Sequence, residues 1–318
     1  MLDNFTPLSV PAEKKAEYQK NLRLATGGSG RLLLIAGDQK MEHLNDDFFG
    51  SGIAKEDNNP EHLFRIAAAS NGGVLATHLG LISQYGQSYF NTPYIVKING
   101  RTNLGPNEEK DSSKPLWKVE DVIEFKKRSG LKIVGIGYTV FLGGKYEAQM
   151  LAKAAKAVNQ AHQAGLLAVI WMYPRGKGVD EDNIHTIAGG AGVAACLGAD
   201  FVKVKYPYKA KDAKLAAKKF QEVTEAAGRT KIICVGGAKQ PTKDLFNFLE
   251  LQLNIGSSYG LAIGRNLHQR NLDEASRLAQ ALGAMIIKGK TAQEAQKLYN
   301  TKTNNLKSKT NNSFFKFF

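Results

Sequence analysis

LAVIWMYPRGKGVDEDNIHTIAGGAGVAACLGADFVKVKY, residues 167–206, holds the pattern that decides the fold. It opens with an apolar run, LAVIWMY (167–173), and passes through a segment of helical period, EDNIHTIAGGAGVAACLGA (181–199). It then returns to a second run, DFVKVK (200–205). Strand, helix, strand predicts a parallel pair, because parallel neighbours need a crossover. The unit recurs on both sides. RLLLIAGD (31–38), GVLATH (73–78), PYIVKIN (93–99) and LKIVGIGYTV (131–140) precede it, and KIICVGG (231–237) and GLAIGR (260–265) follow. Residues 61–70, 145–165, 211–228 and 242–256 carry helical period between the runs, and 272–289 and 291–300 carry it after the last. Eight such runs predict an α/β chain closed as a (β/α)8 TIM barrel. No G-x-G-x-x-G follows the first run, which argues against an open dinucleotide-binding sheet.

Three segments follow from this pattern: an N-terminal extension (1–30), the barrel (31–289), and a C-terminal helix with a basic, Phe-rich tail (290–318). The extension is expected to lay a helix across the barrel bottom. Residues 100–119, GRTNLGPNEEKDSSKPLWKV, are polar and rich in turn residues. They leave the third strand at its C-terminal end, the face where barrel active sites form.

The chain has 318 residues, of which 43 are basic and 29 acidic, giving a net charge of +14. Its 43% hydrophobic content excludes global disorder. The first 20 residues contain no apolar core of a secretory signal, and no run is long enough for a membrane helix. Cys196 and Cys234 lie in apolar runs, which excludes a disulfide scaffold and suits a reducing, cytoplasmic setting. The basic run 205–219 reads as a solvated helix face, and no nucleic-acid-binding motif is present. Neither a nucleic acid nor a membrane is expected as partner.

The chemistry centres on ADFVKVKY (199–206). Strand side chains alternate faces, so Val202 and Val204 point to the helix layer, and Phe201, Lys203 and Lys205 point inward. Burial and a neighbouring cation both lower a lysine's pKa, giving a neutral amine able to attack a ketone. Two lysines alone leave Schiff-base formation and anion holding equally open. The other strand exits favour the first. Trp171 and Tyr173 share a face at the end of their strand, where a phenol can move protons, and Arg175 follows in a tight turn. Asp38 ends the first strand, with Glu42 and His43 just beyond, and Lys97 and Asn99 share a face on the third. Gly236, Gly237, Gly264 and Arg265 stand at the seventh and eighth exits, where barrels commonly hold phosphate. The six histidines give no ligand spacing for a catalytic zinc, so no metal and no cofactor are expected.

DQKMEH (38–43), WMYPRG (171–176), DFVKVKY (200–206), VGGAK (235–239) and GLAIGRN (260–266), in that order, resemble the archaeal-type class I fructose-bisphosphate aldolases of the DeoC/LacD-like group. The resemblance spans roughly residues 30 to 285. It implies a TIM barrel with Lys203 as the Schiff-base lysine, Tyr173 as proton donor, Trp171 shaping the pocket and Asp38 in support. It places phosphate at Gly236, Gly237, Gly264 and Arg265. Arg175, aimed upward by its exit turn, and Lys205, beside Lys203, are expected as further substrate contacts. The implied reaction is reversible cleavage of fructose 1,6-bisphosphate, in glycolysis and gluconeogenesis, by a homo-oligomer acting on a phosphorylated sugar. Lys40 and Leu44 stand where the family has glycines, and Val235 where it commonly has serine. Two rival readings are a related Schiff-base aldolase or thiolase-like enzyme on another phosphorylated ketose, and a non-enzymatic polyanion- or nucleic-acid-binding protein using the +14 charge.

Overall fold

The computed structural model describes residues 5–206 and 212–301. Most of the Phe-rich tail, and residues 207–211 of the basic run, lie outside the described residues. The strands β1 (Leu32–Ala36), β2 (Val74–His78), β3 (Tyr94–Lys97), β4 (Ile133–Leu142), β5 (Leu167–Pro174), β6 (Phe201–Val204), β7 (Lys231–Val235) and β8 (Gly260–Ile263) are those expected, with slightly different ends. They are parallel and close into a barrel in which each strand pairs with its sequence neighbours and β1 pairs with β8. No helix among the described residues is long and apolar enough to cross a membrane.

Alternation sorts each strand between two cores. Val169 and Trp171 of β5, Phe201 of β6 and Ile233 of β7 fill the barrel interior. Ile170, Val202, Val204 and Cys234 pack outward against the helices. The inward-facing positions therefore stack in layers. The lower layers are aliphatic and aromatic, and the upper ones carry Lys97 and Lys203, both buried.

Local structure departs from the expected pattern in three places. The segment 211–228 forms two helices, Ala213–Lys219 and Gln221–Ala226, with the fully buried Phe220 at the joint. The polar segment after β3 is ordered as a small antiparallel hairpin, Asn99–Gly100 with Lys114–Pro115, and is followed by a helix, Val119–Ser129. That helix was hidden because it buries only Val119, Val122 and Phe125. β6 ends at Val204, so Lys205 stands just past the strand.

The bottom of the barrel is plugged by a helix, α1 (Lys15–Thr26), which sends Tyr18, Leu22 and Ala25 into the interior core. One carboxylate fixes it there. Asp200, at the entry to β6, accepts hydrogen bonds from the Tyr18 hydroxyl (2.6 Å), His162 Nε2 (3.1 Å) and the Ala168 amide (2.7 Å). The other ring nitrogen of His162 bonds the Ser9 hydroxyl at 2.7 Å, which extends the network to the N-terminal segment. Removing the acceptor leaves buried donors without partners, at roughly 1–3 kcal/mol each. Asp200→Ala is expected to cost about 2–5 kcal/mol of stability, read in denaturant unfolding. A loss under about 1 kcal/mol would show that α1 is held by apolar packing alone.

Candidate active site

Lys203 lies in register with Trp171 on β5 and Ile233 on β7. It is 6% exposed, and its Nζ stands 5.2 Å from the centre of the Trp171 ring. Tyr173 lies beside it on the same cavity wall, and Asp38 and Glu42 bring negative charge from the β1 exit. Burial pushes the Lys203 ammonium down, but Tyr173, Asp38 and Glu42 outweigh it and hold the group above the ordinary lysine value. The expected resting neutral amine is therefore not what this site produces. The reason is the group of Tyr173, Asp38 and Glu42 around it, while Lys205, whose charge was to repel the proton on Lys203, is directed elsewhere. Past the end of β6 it turns to Asp182 (2.7 Å) and Glu181 (3.6 Å).

The amine that is pushed down is Lys97. Burial takes it to about 8, with Asp38 and Glu42 offsetting part of the effect and Lys203 adding to it. Its Nζ donates to the backbone and side-chain oxygens of Asn99 at 2.7 and 2.8 Å. Asn99 is itself clamped to Thr139, whose amide donates to its Oδ1 and whose carbonyl accepts from its Nδ2, both at 2.8 Å. His78 Nδ1 donates to the Lys97 carbonyl at 3.0 Å, and burial followed by the Lys97 charge pushes the ring down to about 4. This imidazole is neutral near pH 7.

Position separates the two lysines. Lys203 opens on a cavity of about 420 Å³ at the barrel mouth, lined also by Asp38, Glu42, Trp171 and Tyr173. Lys97 is not among the residues lining that cavity and borders a small side space of about 10 Å³. Burial raises Tyr173 above an ordinary phenol; Lys203 opposes this, while Glu42 and Asp38 add to it. The phenol therefore keeps its proton at neutral pH and can serve as an acid. Asp38 caps the short helix Gln39–Glu42 without a side-chain hydrogen bond and is 5% exposed. Buried atoms without partners cluster here: Asp38 Oδ1, Gln39 Oε1, Trp171 Nε1, Arg101 Nε and Arg265 Nε all belong to residues of the large cavity. Buried polar atoms of this kind are normally paired, so the set is shaped for a polar guest.

Across the mouth, Gly236, Gly237, Gly264 and Arg265 line the same cavity. Their arrangement differs in detail from the expected pair of glycine amides. The Gly236 amide is spent on the Ala262 carbonyl at 2.8 Å, while Gly237 turns into the left-handed region at φ 70°. Among the described residues no partner engages the Gly237 amide. Asn266, whose role the sequence reading missed, ties the turn down. Its Nδ2 donates to the carbonyls of Gly236 (2.9 Å) and Ala238 (2.7 Å), and its Oδ1 accepts from the Gln240 amide at 2.9 Å. Arg265 approaches Asp47 at 3.9 Å, and Asp47 in turn holds His43 at 2.5 Å. Arg175 lines the mouth near Glu181 at 3.7 Å. Arg101, Glu42 and Gln39 also line the cavity, and the reading from sequence gave Arg101 and Gln39 no role.

Two backbone positions explain the local motifs. A methyl group on Gly176 of WMYPRG would run into the Gly143 carbonyl, so the exit turn of β5 requires glycine there. Leu44 takes a left-handed φ of 56° where the resembled family has glycine. A side chain in this left-handed conformation costs of order 1 kcal/mol.

Residues 32–270 match the family model for DeoC/LacD family aldolases. Over 299 residues the chain is 50% identical to a Methanocaldococcus jannaschii protein named fructose-bisphosphate aldolase/6-deoxy-5-ketofructose 1-phosphate synthase, covering 93% of this chain and 94% of that one. The fructose-bisphosphate aldolase structure from Slackia heliotrinireducens superposes with a TM-score of 0.90 at 45% identity, covering 94% of this chain and 95% of that one. An archaeal fructose-1,6-bisphosphate aldolase, solved with its catalytic lysine covalently bound to the carbinolamine intermediate of the substrate, superposes with a TM-score of 0.72. It is 26% identical and is covered over 99% of its length, against 85% of this chain. With the closed barrel, the buried strand lysine and these matches in agreement, the chain belongs to the DeoC/LacD family of aldolases.

Proposed function

We propose that this protein is a class I aldolase that reversibly cleaves fructose 1,6-bisphosphate to dihydroxyacetone phosphate and glyceraldehyde 3-phosphate. The observation that carries this reading is the buried Lys203, which lines the mouth cavity together with Tyr173, Asp38 and Glu42. Lys203 is a cation at rest, so it first gives a proton to a neighbouring carboxylate, Asp38 or Glu42. The free amine then adds to the C2 ketone. The carbinolamine hydroxyl takes a proton from Tyr173 and leaves as water as the nitrogen lone pair forms the iminium. The iminium draws the electrons of the C3–C4 bond as the C4 hydroxyl loses its proton to the Tyr173 phenolate. Glyceraldehyde 3-phosphate departs, the enamine takes a proton at C3, and water releases dihydroxyacetone phosphate and restores Lys203. Trp171 forms the pocket wall, and Arg265 with the Gly237 amide receives the phosphate next to the ketone. Lys205 and Arg175 complete the rim.

The second activity in the name of the 50%-identical relative favours one further reading, in which the same lysine acts on another phosphorylated ketose. Turnover assays on fructose 1,6-bisphosphate and on other ketose phosphates separate the two. Purified protein is expected to cleave fructose 1,6-bisphosphate, and to keep its rate within about twofold after exhaustive chelation, because the iminium is the electron sink. Cleavage lost on chelation and restored by a divalent ion would contradict a Schiff-base mechanism.

Tyr173→Phe removes the acid–base group while leaving the ring. Its kcat is expected to fall about 10²–10⁴-fold while Lys203 still forms a covalent adduct. An unchanged kcat would take Tyr173 out of the reaction.

A further inference from the structure

Arg101 has no part in the chemistry above, although it reaches the reaction cavity. It follows Gly100 in the hairpin that the 100–119 segment lays at the mouth. Its guanidinium stands 5.3 Å from the centre of the Phe141 ring, and that of Arg175 stands 5.2 Å from the same ring. Two cations therefore share one phenyl ring on the cavity wall. Each has a carboxylate in ion-pair range: Glu42 is 3.4 Å from Arg101, and Glu181 is 3.7 Å from Arg175. Arg101 Nε is buried and without a partner. Burial and the Arg175 charge both weigh against the Arg101 cation, while Glu42 and Asp111 support it. Two guanidiniums facing a shared cavity, with a donor left over, make a dianion site.

We propose that Arg101, together with Arg175, binds the phosphate on C6 of the ketose, and that the hairpin carrying Arg101 thereby selects the bisphosphate. This rests on the aldolase reading. The ring order supports it, because β8 and β4 stand opposite one another in an eight-stranded barrel. Arg265 follows β8 and Phe141 belongs to β4, so the two anion sites face each other across the mouth. Lys203 on β6 is beside β7, on the Arg265 side, and Tyr173 on β5 lies between Lys203 and Phe141. In the substrate the ketone is one carbon from the first phosphate-bearing carbon and four from the other. The short arm fits toward Arg265 and the long arm passes Tyr173 toward Arg101.

The test compares fructose 1,6-bisphosphate with fructose 1-phosphate, which lacks the C6 phosphate. Arg101→Leu is expected to raise KM for the bisphosphate about 10- to 100-fold and to leave that for fructose 1-phosphate within about threefold. Arg101→Lys keeps the charge and is expected to recover part of the loss. Arg265→Leu is expected to impair both substrates. Equal impairment of both substrates by the two Arg101 variants would make Arg101 structural, and an unchanged KM for the bisphosphate would place its far phosphate elsewhere. Either result overturns this assignment alone. A parent protein that cleaves neither substrate would overturn the aldolase reading, and this assignment with it.

Discussion

A positive charge held inside a closed barrel is the constraint on which the rest of this molecule depends. Taking an ammonium out of water costs several kcal/mol unless compensating groups surround it. Lys203 finds them only because the barrel closes. Tyr173 comes from the strand before it in the chain, and Asp38 and Glu42 from the exit of β1, more than 150 residues away. The Trp171 face supplies a further cation–π contact. An open sheet would leave the β1 carboxylates at a far edge. Closure also needs a filled bottom, which Asp200 secures by anchoring α1 through Tyr18 and His162.

How much of this was legible in the sequence depended on whether a feature was local. The inward direction of Lys203 follows from strand alternation in DFVKVK, because the valines suit the helix layer. The pairing of Trp171 with Tyr173 on one face was legible for the same reason. The protonation state of Lys203 was not, since it depends on groups that converge from distant strands. Lys205 obeyed alternation in the sequence reading but lies past Val204, where alternation no longer binds it, and its charge goes to Asp182. The Gly236 amide was taken as free for phosphate, whereas the register of β7 with β8 gives it to Ala262. Arg101 is a single arginine in a polar loop, with no local signal; its meaning appears only when Phe141 and Arg175 stand beside it. Leu44 shows the converse, a left-handed backbone conformation at a residue type that does not advertise it.

In the proposed reading the cavity carries arginines at two ends and the reactive lysine unequally between them. Arg265 and the turn held by Asn266 form one end, and the two arginines on Phe141 form the other. Lys97 stands behind the centre. It is the less basic of the two buried lysines and is tied to Asn99, whereas Lys203 lines the mouth cavity. The Lys97 and Lys203 ammonium groups stand 5.6 and 5.2 Å from the centre of the same Trp171 ring.

The most direct measurement of this account is to reduce the enzyme with borohydride in the presence of dihydroxyacetone phosphate and to locate the modified residue by peptide mass spectrometry. A single stable adduct on Lys203, absent from Lys203→Arg, is the predicted result. An adduct on Lys97 or Lys205, or full activity in Lys203→Arg, would contradict it.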